Sequence, residues 1–304
     1  MCEVNLDGFQ GWGLDHKRKL LFIRASTAEA YVVTFSEMVK CKKATLGQLE
    51  STIGKLNWLS TIHLQARIFA PPMQWLLNEH KICNTDGKLL NRNVKVTLDQ
   101  FMCSDLLMAV NMLKHRASLP AIYTVFNFFR WPWAIDGTTD AAKHGGMGWI
   151  VHDTGEWASV SFKGTPAWDL DQNQAEGLGT LSIIRHIAPR ARRLNHIIRL
   201  EVDNSAILAA VMKQGSFKPR LYAISRAIVA VAVEYNIRIY TRFVESDENI
   251  ADWPSRPDLT DWFEKFCIAG RFHRGPWGTV PIYPTKEVHV SLPELMDFVK
   301  RRYP

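Results

Sequence analysis

The sequence predicts an α/β chain: a mixed five-stranded sheet with flanking helices, preceded by a mainly helical region. Three observations predict it. Apolar residues recur at helical spacing through most of the first 115 positions. From Trp131 the pattern changes to short runs separated by Gly-bearing turns, which read as three successive strands. After Asp171 helix-period and strand-period segments alternate, as crossover units onto a sheet require.

Residues 9–24 read as two short strands around a charged turn, followed by a helix near 27–40. Thr45-Leu46-Gly47-Gln48 has capping-box form, and Leu46, Leu49, Ile53, Leu56 and Leu59 then recur on one helical face. A further helix is expected over about 65–79, interrupted at Pro71-Pro72. Thr97-Leu98-Asp99-Gln100 offers a second capping box before Phe101, Leu106, Val110 and Leu113. In the second half, strands are expected at 133–139, 147–151 and 156–162, with 143–146 as a turn. Asp171 and Gln174 form a third box, and Ala175, Leu178, Leu181 and Ile184 mark the buried face of its helix. A strand at 197–202 ends at Asp203, and a short helix runs from Asn204 or Ser205 to Val211. A long helix at 219–235, a strand at 237–244, a short helix at 249–255 and a final helix at 291–302 complete the order. The expected domains are 1–115, a linker at 116–130, a sheet domain at 131–257 and a tail at 258–304.

Composition bounds the function. With 304 residues, 47% hydrophobic and 22% charged, the chain can bury a sizeable core. No apolar run approaches 18 residues and the first residues carry no signal-peptide pattern, so an intracellular protein, cytoplasmic or nuclear, with no membrane span is expected. Five scattered cysteines with no C-x-x-C pair suggest reduced thiols, not disulfides or zinc. Residues 1–130 carry 16 Lys+Arg against 10 Asp+Glu, and the remainder 21 against 20. A basic half beside a near-neutral, acid-bearing half suits a polyanion-gripping module joined to a metal-dependent one.

Four acids in distinct local patterns carry the chemistry: Asp140 in Thr-Asp-Ala-Ala, Glu176 in Asn-Gln-Ala-Glu, Asp203 in Leu-Glu-Val-Asp-Asn, and Asp252 in Asn-Ile-Ala-Asp-Trp-Pro-Ser-Arg. Two divalent cations about 3.5–4 Å apart, held by oxygens with positions open for phosphate and water, need such a set. Asp140 and Asp203 fall at expected strand ends, where open α/β sheets bind ligands. Three of the four have a plainer role available: helix N-cap for Asp203, exposed helix acid for Glu176, dipole-favoured first-turn acid for Asp252. Asp136, four residues before Asp140, is the rival for the first position. Lys213, Lys218 and Arg220, between two expected helices, are phosphate-contact candidates. His144, His186 and His196 match no catalytic segment, and Trp131, Trp133, Trp149, Trp157 and Trp168 suit packing more readily than base stacking.

These segments resemble the RNase H domain that follows the polymerase in retroelement reverse transcriptases, notably DIRS-type and gypsy-type elements and plant pararetroviruses. Thr-Asp-Ala-Ala is similar to the family's T-D-A-S stretch, with Ala142 where Ser is common, and Asn-Ile-Ala-Asp-Trp-Pro-Ser-Arg resembles its N-x-A-D-x-x-S-R ending. The intervals of 36, 27 and 49 residues between acids 140, 176, 203 and 252 fit the same pattern. Gly11 to Asp15 and Thr45 to Trp58 resemble the thumb and connection region, yet no Tyr-x-Asp-Asp carboxylate pair precedes them. The resemblance implies an RNase H-like fold over 131–257 and a nuclease cutting the RNA strand of an RNA–DNA hybrid. It also implies two Mg²⁺ ions (Mn²⁺ as substitute) on Asp140, Glu176, Asp203 and Asp252, and the polymerase palm and fingers of a longer polyprotein as partners. The competing reading is an inactive or domesticated nucleic-acid-binding remnant. An integrase-like use of the fold is disfavoured because the Glu comes second among the acids.

Overall fold

The computed structural model describes residues 12–15, 20–60, 64–114, 134–194, 197–213, 219–235, 237–256, 272–275, 278–281 and 285–302. The chain forms two compact units, Met1–Trp131 and Pro132–Pro304. The expected linker at 116–130 lies outside the described residues.

In the first unit, strands β1 (Trp12–Asp15) and β2 (Leu20–Ile23) pair as an antiparallel hairpin. Helix α1 (Ala25–Cys41) ends where Lys42 turns left-handed, and β3 (Lys43–Thr45) follows. Helix α2 (Leu46–Leu59) starts with the expected capping box: Gln48 N–H donates to Thr45 Oγ1 and Thr45 N–H to Gln48 Oε1. The expected helix at 65–79 is two elements, a 3₁₀ turn at Leu64–Phe69 and then α3 (Ala70–His80). Pro71 and Pro72 lie in the first turn of α3, where a missing N–H costs nothing, so they begin a helix instead of interrupting one. Strand β4 (Lys95–Thr97) pairs with β3, and α4 (Gln100–Lys114) follows. Its cap differs from the expected box: Thr97 belongs to the strand, and Asp99 Oδ1 accepts from Met102 N–H at 2.7 Å.

The second unit is built on one sheet. Strands β5 (Ile135–Ala142), β6 (Gly146–Val151) and β7 (Glu156–Ser161) form an antiparallel meander. Helix α5 (Gln172–Leu194) then carries the chain to β8 (Ile197–Val202), which joins β5 in parallel. Helices α6 (Ser205–Met212) and α7 (Pro219–Glu234) lead to β9 (Arg238–Phe243), parallel to β8. A short helix, α8 (Asp252–Ser255), follows. The α5 box forms as expected between Asp171 and Gln174, and Ala175, Leu178, Leu181 and Ile184 are all buried. Among the described residues, strands β10 (Phe272–Gly275) and β11 (Gly278–Pro281) pair with each other as a separate two-stranded sheet.

The mixed sheet has six strands where the sequence suggests five. The extra one, β12 (Lys286–Glu287), comes from the expected tail and pairs with β7. Helix α9 (Leu292–Arg302) buries Leu292 and Leu295 in the same core, so the sheet domain recruits this segment. Two residues of strand carry no periodicity, which is why β12 cannot be read from sequence. No helix among the described residues is long and apolar enough to cross a membrane.

Register gives the two sheet faces different characters. Trp149, Ile198, Leu200 and Val202 face the helices and join the main core with Leu178, Leu181 and Ile184. The opposite face carries polar residues in rows: Asp136 beside Arg199, then Thr138 beside Glu201. Two residues further along both parallel strands, the next row brings Asp140 beside Asp203.

Candidate metal centre

Asp140, Glu176 and Asp203 each offer one carboxylate oxygen, and these atoms all lie within 4.8 Å of one another. They come from three elements. Asp140 is near the end of β5, Glu176 on the second turn of α5, and Asp203 one residue beyond β8. Asp203 does not cap the helix that follows it. That duty falls to Asn204, whose Oδ1 accepts from Ala206 N–H at 2.9 Å and Ile207 N–H at 3.1 Å. Its Nδ2 also donates to Asn173 Oδ1 at 3.1 Å, tying the start of α6 to α5.

Two glycines let the elements close on the site. A Cβ on Gly179 would sit 2.8 Å from Thr139 Oγ1 and 3.3 Å from the Asp140 carbonyl oxygen, so α5 lies against β5 only because that atom is absent. A Cβ on Gly148, the cross-strand neighbour of Asp140, would meet Pro254 C and Ser255 N at 2.3 Å. Helix α8 therefore rests its backbone on the sheet at that point. The fully buried Ser255 donates to Asp140 Oδ2 at 2.5 Å. Gln172 Nε2 plays the corresponding part for the second acid, donating to Glu176 Oε1 at 2.8 Å and to the Ala141 carbonyl at 2.5 Å.

The fourth expected acid stands apart from this group. Asp252 opens α8 with its side chain 34% exposed, and Arg256 binds its Oδ1 at 2.6 Å. It is near enough to add its repulsion to Asp140. Asp136, the rival for the first position, forms a two-pronged ion pair with Arg199, and one prong measures 2.5 Å. It belongs to no acid cluster among the described residues.

The electrostatics mark the trio. Burial pushes Asp140 up to about 7, aided by the Asp203 and Asp252 carboxylates and opposed by the Ser255 hydroxyl. Burial likewise pushes Glu176 up to about 9, with Asp140 and Asp203 adding to it. Asp203 Oδ1 is buried and accepts no hydrogen bond. Like-charged oxygens converging from three elements, one of them with no donor, fit a divalent cation, and an all-oxygen set suits Mg²⁺ or Mn²⁺ better than zinc.

The other candidates are dispersed. Lys213 is exposed after α6, Lys218 lies outside the described residues, and Arg220 is described only as backbone at the start of α7. His186 stacks on Trp149 with centroids 4.9 Å apart and meets Glu156 at 3.3 Å, a packing role. His144 is exposed and tilts against the ring of Trp168, while His196, Trp131 and Trp133 lie outside the described residues. Trp149 and Trp157 are buried. Sequence reasoning missed Ser255 and Gln172 as supports of the acids. The signal for Gln172 was its i,i+4 spacing to Glu176 on one helix.

No family model matches this sequence, and no curated protein matches it. Among solved structures it is similar to the N-terminal RNase H domain of Rv2228c from Mycobacterium tuberculosis, solved as a fusion with maltose-binding protein. Identity is 14% over 44% of this chain and 99% of that one, with a TM-score of 0.30. It is similar also to RNase H1 from the halophilic archaeon Halobacterium salinarum NRC-1, at 14% identity over 42% of this chain and 98% of that one, TM-score 0.30.

Proposed function

We propose that the second unit is an RNase H-type endonuclease that cuts the RNA strand of RNA–DNA hybrids with two divalent cations. Asp140, Glu176, Asp203 and Asp252 are the proposed ligands and catalytic residues. The observation that carries this reading is the convergence of three carboxylates, Asp140 and Glu176 buried and Asp203 half-buried, at one end of the β5–β8 strand pair. Bound there, Mg²⁺ would make a water acidic enough to attack phosphorus and would stabilise the departing 3′ oxygen.

This chain's own residues supply the rest. Ser255 fixes the orientation of Asp140, and Gln172 that of Glu176. Asp203 presents a buried oxygen with no competing donor. The protons on Asp140 and Glu176 must leave for both to act as ligands, so cation affinity rises with pH through 7 and toward 9. Arg256 holds one oxygen of Asp252, Oδ1, and the other carboxylate oxygen is the one Asp252 would offer a cation.

The sequence resemblance further supports placing the chain as the C-terminal part of a retroelement reverse transcriptase, with residues 1–115 as its thumb and connection region. The hybrid would be its substrate, Lys213, Lys218 and Arg220 would contact phosphates, and the palm and fingers would lie on another part of a polyprotein. The test is an end-labelled RNA–DNA hybrid incubated with the full chain in Mg²⁺ or EDTA. RNA cleavage only in Mg²⁺, with duplex DNA untouched, is the expected result. Binding of the hybrid without cleavage in Mg²⁺ would instead support the inactive remnant.

A further inference from the structure

We propose that Trp168 and His144 form a stacking platform beside the acids, taking one nucleoside of a single-stranded segment that adjoins the paired substrate. This rests on the hydrolase reading above and adds a feature of its substrate. Trp168 sits on a 3₁₀ turn, Pro166–Asp169, and remains 37% exposed. The His144 ring lies 5.1 Å from it at an interplanar angle of 49°. His144 is itself exposed, with φ at 63°, a left-handed conformation that costs a non-glycine residue about 1 kcal/mol or more. Gly145 and Gly146 stand next to it and do not take that conformation, so the strained position belongs to the ring-bearing residue.

Both halves of the platform are fastened to the acid site. Lys143 N–H, in the same turn as His144, donates to Gln172 Oε1 at 2.9 Å, and Gln172 in turn holds Glu176 at 2.8 Å. Phe162 N–H reaches Gly145 O at 3.0 Å, and Thr165 caps the turn that carries Trp168 by accepting from Ala167 N–H at 3.2 Å. The backbone turns that carry the two rings are therefore held to one another and to Gln172, which binds Glu176.

The charges around them select the ligand. Exposed Lys143 and Lys163 are offset by exposed Asp169 and Asp171, so the patch has no net charge with which to grip a phosphate backbone. It offers ring faces instead. Aromatic side chains stack on bases, and inside a duplex both faces of every base are covered by its neighbours, so beyond the end pair of a hybrid the open faces belong to unpaired nucleotides.

The experiment measures affinity, in EDTA so that nothing is cut, by anisotropy of a blunt RNA–DNA hybrid and of the same hybrid with a single-stranded overhang. The intact chain should prefer the overhang form. Trp168→Ala should weaken binding of that form about tenfold and leave the blunt form within about twofold, while Trp168→Phe keeps most of the preference. His144→Ala should give a smaller loss in the same direction. An undiminished overhang preference in Trp168→Ala, or equal loss on both hybrids, overturns the proposal. So does a fall in Mn²⁺ affinity of Trp168→Ala by calorimetry, which would make the tryptophan a prop for the acids. Failure of the hydrolase reading is separate: it is absence of Mg²⁺-dependent cleavage, whatever the overhang preference.

Discussion

Asp136 and Asp140 are four residues apart on one strand and face the same way, yet the protein treats them in opposite fashion. Asp136 is in register with Arg199 of β8 and bound by it through both guanidinium prongs. Asp140 stands two rows further on, beside Asp203 and Glu176, with the Ser255 hydroxyl and the Ala141 N–H as donors and no cationic partner. Burial raises the proton affinity of both, but Arg199 opposes this at Asp136, while neighbouring acids reinforce it at Asp140 up to about 7. A buried carboxylate with a cationic partner is a structural pair. A buried carboxylate gathered with other acids is unfavourable until something else supplies positive charge.

The largest expected effect breaks or keeps that contrast directly. Asp140→Asn should lower hybrid cleavage by about a thousandfold, corresponding to about 4 kcal/mol of lost transition-state stabilisation, as read by single-turnover kinetics. Asp136→Asn should leave cleavage within about tenfold of the parent. The reverse ranking would move the centre one end down the strand.

Gly148→Ala sharpens the comparison through geometry alone, because it adds a Cβ 2.3 Å from the backbone of α8 at the Asp140 end only. It should cost about 1–3 kcal/mol in urea unfolding and reduce cleavage by displacing Ser255 from Asp140.

Stability should respond with opposite signs at the two ends. Asp136→Asn removes the carboxylate that binds Arg199 through both prongs and should destabilise by about 2 kcal/mol. Glu176→Gln removes a carboxylate whose folded-state pKa, about 9, lies above its ordinary 4.5. A raised acid binds more protons folded than unfolded, so its contribution is favourable below about 4.5 and is lost as pH climbs toward 9. In EDTA at pH 8, Glu176→Gln should therefore raise the unfolding temperature by a few degrees and show little effect at pH 4.

The smallest effect concerns the basic loop. Lys213→Ala should weaken hybrid binding only slightly and lower the salt slope by about 0.9 if its ammonium meets a phosphate.

How much of this was legible in the sequence depends on the range of the interaction. The capping boxes at Thr45 and Asp171 were readable because cap and partner are three residues apart. The break at residues 64–70 was misplaced because proline forbids a helix interior but favours its first turn, and spacing alone does not say which applies. The four acids stood out through their local patterns, but the choice between Asp136 and Asp140 turned on which β8 residue lay alongside, a register that no local pattern encodes. Arg199, 63 residues from Asp136, is what sets the two acids apart, and the Asp136→Asn and Asp140→Asn pair tests which of them serves as ligand. Ser255 was visible only as the end of a motif, since its bond to Asp140 spans 115 residues.

The central claim is that the acid-only end of the β5–β8 pair exists to hold divalent cations. Calorimetric titration of the full chain with Mn²⁺ tests it, run at pH 6, 7 and 8 in buffers of differing ionisation enthalpy. The account predicts saturable binding that tightens with pH and releases protons, because Asp140 at about 7 and Glu176 at about 9 must ionise for both to act as ligands. Glu176→Gln should greatly weaken it and Asp136→Asn should not. Binding that is absent, or equally strong in Glu176→Gln and without proton release, would contradict the account.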